Sequence, residues 1–208
     1  MLDPHQLLLF IPVAALFTLA PGPDSILLIA RSLGQGRLAA VACAAGCAIG
    51  ILVTSMLVAV GLSAVVAASE TLFLILRVVG AVYLVWVGIQ AIRSHDLIQF
   101  KGAAPMPLRR VFLSSLMVNL LNPKVAVFML AFLPQYARAD LGHVGMQIFL
   151  LGAIYALISL VLMSLMGAGA ARLRDVLQAR PKVIRWLNIG AGGAFVVSGL
   201  KVASMKHL

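Results

Sequence analysis

Two ionisable residues stand where the chain is otherwise strongly apolar. Asp24 lies in "LAPGPDSILL", residues 19–28, and Lys124 lies in "LLNPKVAVFML", residues 120–130. Each directly follows a proline, Pro23 in the first stretch and Pro123 in the second. A carboxylate and an ammonium brought to one place match the two charges of a zwitterion. The same acid could take either a proton or a cationic substrate group. Ionisable residues inside membrane spans are functional candidates by default. Their neighbours Pro21, Gly22, Ser25, Asn119 and Asn122 complete the candidate site.

Proline removes a backbone donor, so it interrupts a helix but fits its first turn. "PGPDS" therefore reads as a break followed by a new helix, with Pro23 in the first turn. "NPK" repeats that grammar, with Asn122 as N-cap and Pro123 as first residue. A helix start carries free N–H groups and partial positive charge. Irregular backbone at membrane depth survives only when buried in protein or lining a water-filled cavity. Two structural alternatives stand beside the functional reading. The prolines could only kink their helices, and Asp24 could only cap its half-helix.

These residues need membrane-spanning elements to position them. Of the 208 residues 62% are hydrophobic and 11% charged, against roughly 25% charged in a soluble domain. Residues 38–69 and 144–171 contain no Lys, Arg, Asp or Glu, and a span needs about 20 apolar residues. Strand alternation is absent, which argues against a β-barrel. The expected fold is an all-α integral membrane protein with six transmembrane helices: Leu7–Ala30, Leu38–Val66, Thr71–Ile92, Val111–Tyr136, Val144–Ala170 and Val183–Val202. The first and fourth are interrupted at the proline motifs. The first 30 residues lack a basic n-region and read as a retained span rather than a secretory signal.

The whole chain, 1–208, reads as one transporter domain of two halves. Repeat 1 covers about 5–93, a connector about 94–110, and repeat 2 about 111–203. "PGPDSILLIA" echoes "LNPKVAVFML", and "LVWVGIQAI" echoes "FVVSGLKVA". Three spans per half force the second half to insert upside down, a plan common among secondary transporters. At 1.5 Å per residue Asp24 and Lys124 lie roughly 15 and 20 Å from the same membrane face, within reach of one another. In the empty state they could pair, or Asp24 could hold a proton.

The net charge of +10 has a topological pattern. Eleven of the sixteen Lys and Arg residues fall in the loops after the first, third and fifth spans, and four fall on the other side. Cytoplasmic loops collect basic residues, so both termini are expected in the periplasm. This distribution points to anionic lipid of the bilayer and away from nucleic acid. Gly46 and Gly50 form a GxxxG motif in the second span. It reads as close helix packing within one bundle, with a homodimer as the alternative. Trp86 and Tyr83 in the third span read as core or lining residues.

The remaining reactive residues narrow the chemistry. Cys43 and Cys47 are the two cysteines, four apart on one helix face. That is poor disulfide geometry, and they read as small packing residues. The four histidines are scattered near ends and loops, so no metal centre is expected. No cofactor is expected either, and no Walker-type phosphate loop occurs. Nothing in the chain suggests an enzyme.

Taken together, the motifs resemble the LysE/RhtB amino-acid efflux translocators of bacteria. The resemblance rests on "PGPDSILLIARSLGQGRLAAVACAAGCAIG", "LLNPKVAVFMLAFLPQY" and "AVYLVWVGIQAIR", and it covers the whole chain. It implies secondary export of small amino acids or close derivatives across the inner membrane, driven by protons. Many members have Thr where this chain has Ala20, and Asn where it has Asp24. The resemblance therefore makes Asp24 a motif position and leaves the role of its charge open. The competing readings are a metal-cation exporter of related architecture, a thiol redox membrane relay, and a membrane scaffold without transport. A relay would want a thiol in each half, and here both cysteines lie in the second span.

Overall fold

The computed structural model describes residues 2–20, 22–68 and 103–170 continuously, with single helical residues between 75 and 93 and between 185 and 200. Most of the expected third and sixth spans, most of the connector, and the basic loop after the fifth span lie outside the described residues. Every regular element among the described residues is helical.

Helix α1 is Pro4–Leu19 and α2 is Pro23–Gln35. Asp3 caps α1 by accepting the His5 N–H at 2.9 Å. The first break bends the pair by 58°. Pro23 takes the first turn of α2, as expected. Gly36, at φ +80°, ends that helix, a conformation glycine adopts without a Cβ clash. Helix α3, Arg37–Ala68, corresponds to the expected second span.

After the connector come α4, Leu108–Leu120, and α5, Pro123–Val127. Asn122 caps α5 by accepting the Lys124 N–H at 3.0 Å. The chain bends by 53° at this second break. The expected fourth span is less regular than a single helix. It runs on from α5 as a π-helical turn, Phe128–Phe132, and a 3₁₀ turn, Leu133–Tyr136. Pro134 inside the sequence "FLPQY" helps explain that loosening, since proline cannot complete the ladder. Helix α6, Val144–Ala168, is the expected fifth span.

α3 is the centre of the assembly, packed chiefly by α6 and α4, while α1 lies on α6 and α2 on α3. Lipid tails are as apolar as leucine, so such helices associate through close packing and hydrogen bonds rather than through water exclusion. The glycines show how. A Cβ on Gly46 would collide with the backbone of Phe112, and one on Gly152 with the Ser55 side chain. Gly46 and Gly50 thus serve packing inside the bundle, against α4. Cys43 and Cys47 lie on the same seam, both free and fully buried. Ser115 Oγ lies 3.0 Å from Cys43 Sγ, and the Ser115 carbonyl accepts weakly from Cys47 Sγ at 3.9 Å. The Trp86 side chain is half exposed, which argues against the core and leaves its reading as a lining residue.

Buried apolar side chains form two clusters. One joins α1, the π-helical turn and α6, around Phe10, Phe17, Phe128 and Tyr155. The other joins α2, α3 and α4, around Leu28, Cys43, Cys47 and Val111. Along α6 Tyr155 belongs to the first and Met163 to the second. The polar residues of the two breaks lie between them.

Candidate functional site

The two broken helices exchange partners. Asp24, in the first turn of α2, accepts two hydrogen bonds from the second break. Asn119 Nδ2 donates to one carboxylate oxygen at 2.9 Å, and Asn122 Nδ2 donates to the other at 2.6 Å. Lys124, in the first turn of α5, reaches back to the first break. Its Nζ donates to the carbonyls of Phe17 at 3.0 Å and Ala20 at 2.9 Å. These carbonyls end α1, where the helix carries partial negative charge. The ammonium also stands 4.6 Å from the centre of the Phe17 ring, a cation–π geometry.

Each charge therefore solves the problem of the opposite break. Gly22, the N-cap of α2, has no side chain with which to cap it. Asp24, in the first turn, is held across the breaks by the two amides. Asn122 does double work, capping α5 with its oxygen and holding Asp24 with its nitrogen. Gly22 lets the lysine in: a Cβ there would stand 3.3 Å from both Lys124 Cδ and Nζ. Ser25 makes only a long contact to the Ala20 carbonyl, at 3.5 Å. Pro21 and the Pro123 side chain lie outside what the structure describes.

Gly50 belongs to this site as well as to the packing seam. A Cβ on it would come within 2.5 Å of Asn119 Oδ1 and 2.9 Å of Asn119 Cβ. The GxxxG motif thus makes room for the amide that holds Asp24. Asn119 Oδ1 is buried there with no hydrogen-bond partner.

A small cavity adjoins the two charges, with about 10 Å³ open to water centres, room for about one water. Besides Asp24, Ser25 and Lys124 it is lined by Phe17, Thr18, Val125, Tyr155, Ser159 and Met163. Sequence reasoning missed these six. Tyr155, Ser159 and Met163 recur every four residues and so share one face of α6, but the sequence does not say which face of that apolar helix turns inward. From the cavity an aromatic column fills the way toward one end of the molecule. Phe17 stacks on Phe128 at 4.0 Å, Phe128 on Phe132 at 5.0 Å, and Tyr136 follows at 5.2 Å.

Both ends are tied. Beyond the aromatic column Arg138 Nη1 pairs with Asp3 at 2.8 Å, and the same guanidinium pairs with Asp140. Hydrogen bonding to Arg138 holds both carboxyls below the usual carboxylate range. Gln147 accepts the Arg138 N–H and donates to the Arg138 and Gly142 carbonyls. At the other end Arg31 donates to the Ala104 carbonyl at 2.9 Å, Gln35 to the Met106 carbonyl, and Ser32 to the Gly167 carbonyl. Among the described residues no group of three His, Cys, Asp or Glu side chains could hold a metal ion.

Helices 37–61 and 144–168 are each long and apolar enough to cross a membrane, and each bent pair passes the same test as a unit. Half-buried charges on paired helix breaks, set in such a bundle, define a multi-pass membrane protein of the transporter class. The chain belongs to the LysE type translocator family, whose profile matches residues 15–206. It is 32% identical over 199 residues to the homoserine/homoserine lactone efflux protein of Salmonella typhimurium, covering 95% of this chain and 96% of that one. A membrane protein of Vibrio cholerae is 30% identical, over 99% of this chain and all of its own. The leucine efflux protein of Salmonella choleraesuis is 26% identical, over 93% of each. These efflux proteins are transporters, not enzymes. No solved structure matches.

Proposed function

We propose that this chain is a secondary exporter of small amino acids or close derivatives, working by proton antiport across the bacterial inner membrane. The observation that carries this reading is the exchange of partners between the breaks. Asp24 is held by neutral amides and Lys124 by neutral carbonyls and an aromatic face, beside one cavity. An ionic partner would hold each charge more strongly than these amides and carbonyls do. A zwitterionic amino acid supplies both, its ammonium toward Asp24 and its carboxylate toward Lys124. Charge-assisted pairs are about twice as strong as neutral hydrogen bonds, so the substrate can displace the resting partners.

Coupling follows from the carboxylate. Asp24 can hold a proton or face a substrate ammonium, and each excludes the other. Substrate bound on the cytoplasmic side leaves on the periplasmic side when a proton takes its place. The protonated acid then returns and releases its proton inside. Alternating access would come from rocking of two inverted three-helix repeats, 5–93 and 111–203, about the breaks. Bends of similar size at matching positions support that plan. The bias of basic residues supports periplasmic termini.

The test is uptake of labelled amino acids into inverted vesicles, with and without a proton gradient. The wild type should accumulate a subset of them only with the gradient. Lys124→Gln should abolish accumulation while the protein still reaches the membrane. Asp24→Ala should lose it, and Asp24→Asn should exchange substrate without responding to the gradient. Full gradient-driven export by Asp24→Asn would remove the carboxylate from coupling. Near-normal export by Lys124→Gln would discard the zwitterion site.

A further inference from the structure

The charged pair can recognise only what all amino acids share. Selection among them must come from another wall of the cavity, and the described residues place α6 there. Tyr155, Ser159 and Met163 line the cavity from one face of that helix, and all three are buried.

Ser159 differs from several other helical hydroxyls in its acceptor. Thr18, Ser55, Ser114 and Ser115 each donate to a carbonyl three or four residues back, the usual way a hydroxyl is satisfied inside an apolar helix. Ser159 instead donates to Met163 Sδ at 3.3 Å. A thioether sulfur is a weak acceptor. Ser159 is 2% exposed, so its hydroxyl is held at the cavity by a bond that a better acceptor would replace. The space beside it has room for about one water, and Phe17 and Tyr155, in edge-to-face contact with ring centres 6.1 Å apart, are part of its wall.

We infer that Ser159 is a specificity-determining residue that selects amino acids with a short hydroxyl-bearing side chain over aliphatic ones of equal size. On binding, the Ser159 O–H turns from the Met163 sulfur to the substrate hydroxyl oxygen. The sulfur and the rings of Phe17 and Tyr155 then pack on the methylene groups. This inference rests on the exporter reading above, because it assigns the side-chain subsite of that same cavity.

Homoserine and norvaline provide the test, since they differ only in a terminal hydroxyl against a methyl. Purified protein in proteoliposomes is assayed for exchange of each labelled compound. The wild type should favour homoserine about five- to tenfold, the worth of one hydrogen bond to a neutral group. Ser159→Ala should remove that preference, bringing the ratio of homoserine to norvaline exchange to about one. Met163→Leu removes the competing sulfur and should keep or raise the preference. Equal losses for both compounds in Ser159→Ala, or a wild type that prefers norvaline, would overturn the inference and leave the exporter reading intact. A wild type that exchanges no amino acid at all would overturn the exporter reading itself.

Discussion

Gly50→Ala should damage transport although Gly50 touches no charge. The added Cβ would stand 2.5 Å from Asn119 Oδ1, 2.9 Å from its Cβ and 3.0 Å from its Cγ. Carbon atoms pack best at about 3.5–4.0 Å, so Asn119 must retreat by roughly half an ångström to an ångström. Rotating the amide relieves the oxygen but not the Cβ, so α4 itself must give. Overpacking of this kind costs about 1–3 kcal/mol. The same movement stretches the 2.9 Å bond from Asn119 to Asp24. A hydrogen bond to a charged group is worth about 1.5–3 kcal/mol, which converts to roughly ten- to a hundredfold in site occupancy. The measurements are exchange kinetics in proteoliposomes and thermal unfolding in detergent, for Gly50→Ala, Asn119→Ala and the double variant. Asn119→Ala removes the atoms that collide, so the second substitution should add little to the first. Residues that act through one another give such non-additive cycles. Wild-type kinetics in Gly50→Ala, or fully additive losses in the double variant, would refute the link between packing seam and site.

Three further outcomes are expected. Arg138→Gln should loosen the end of the molecule held by Asp3 and Asp140, seen as a lower thermal midpoint near neutral pH. Because both carboxyls are held below their ordinary value of 3.8, the wild-type contribution is present above that value and fades as pH falls through the lowered ones; a wild-type and variant difference that grows on acidification would contradict it. Replacing Cys43 and Cys47 together by Ala should leave transport largely intact, since both are buried against Ser115; lost transport with normal insertion would revive a redox or soft-metal role. Reporter fusions at Gly102 and at the C-terminus should report cytoplasm and periplasm respectively, and a cytoplasmic C-terminus would defeat the six-span arrangement.

Several features were legible because a single residue dictates them. Proline has no N–H wherever it stands, so Pro23 and Pro123 start new helices in the sequence and in the structure. Asn122 caps α5 through a bond that closes within three residues. The apolar runs of α3 and α6 specify membrane helices by length alone. The family also showed in the motifs around these breaks, which are local strings.

Rotation and depth were not legible in the same way. Membrane helices that face lipid on one side and helices on the other are apolar all round, so periodicity does not tell which face turns inward. That is why the α6 wall of Tyr155, Ser159 and Met163 went unseen, and why Gly50 read as packing alone. The charges of Asp24 and Lys124 marked them as candidates, but their partners lie about a hundred residues away along the chain. Only the packing of α1, α2, α4 and α5 against one another decides that amides hold the acid and carbonyls hold the lysine. The sequence determined that buried charge must be satisfied at two helix breaks, because hydrocarbon solvates neither ion. The tertiary structure decided with what, because a partner at membrane depth is chosen by which helix end comes within 3 Å.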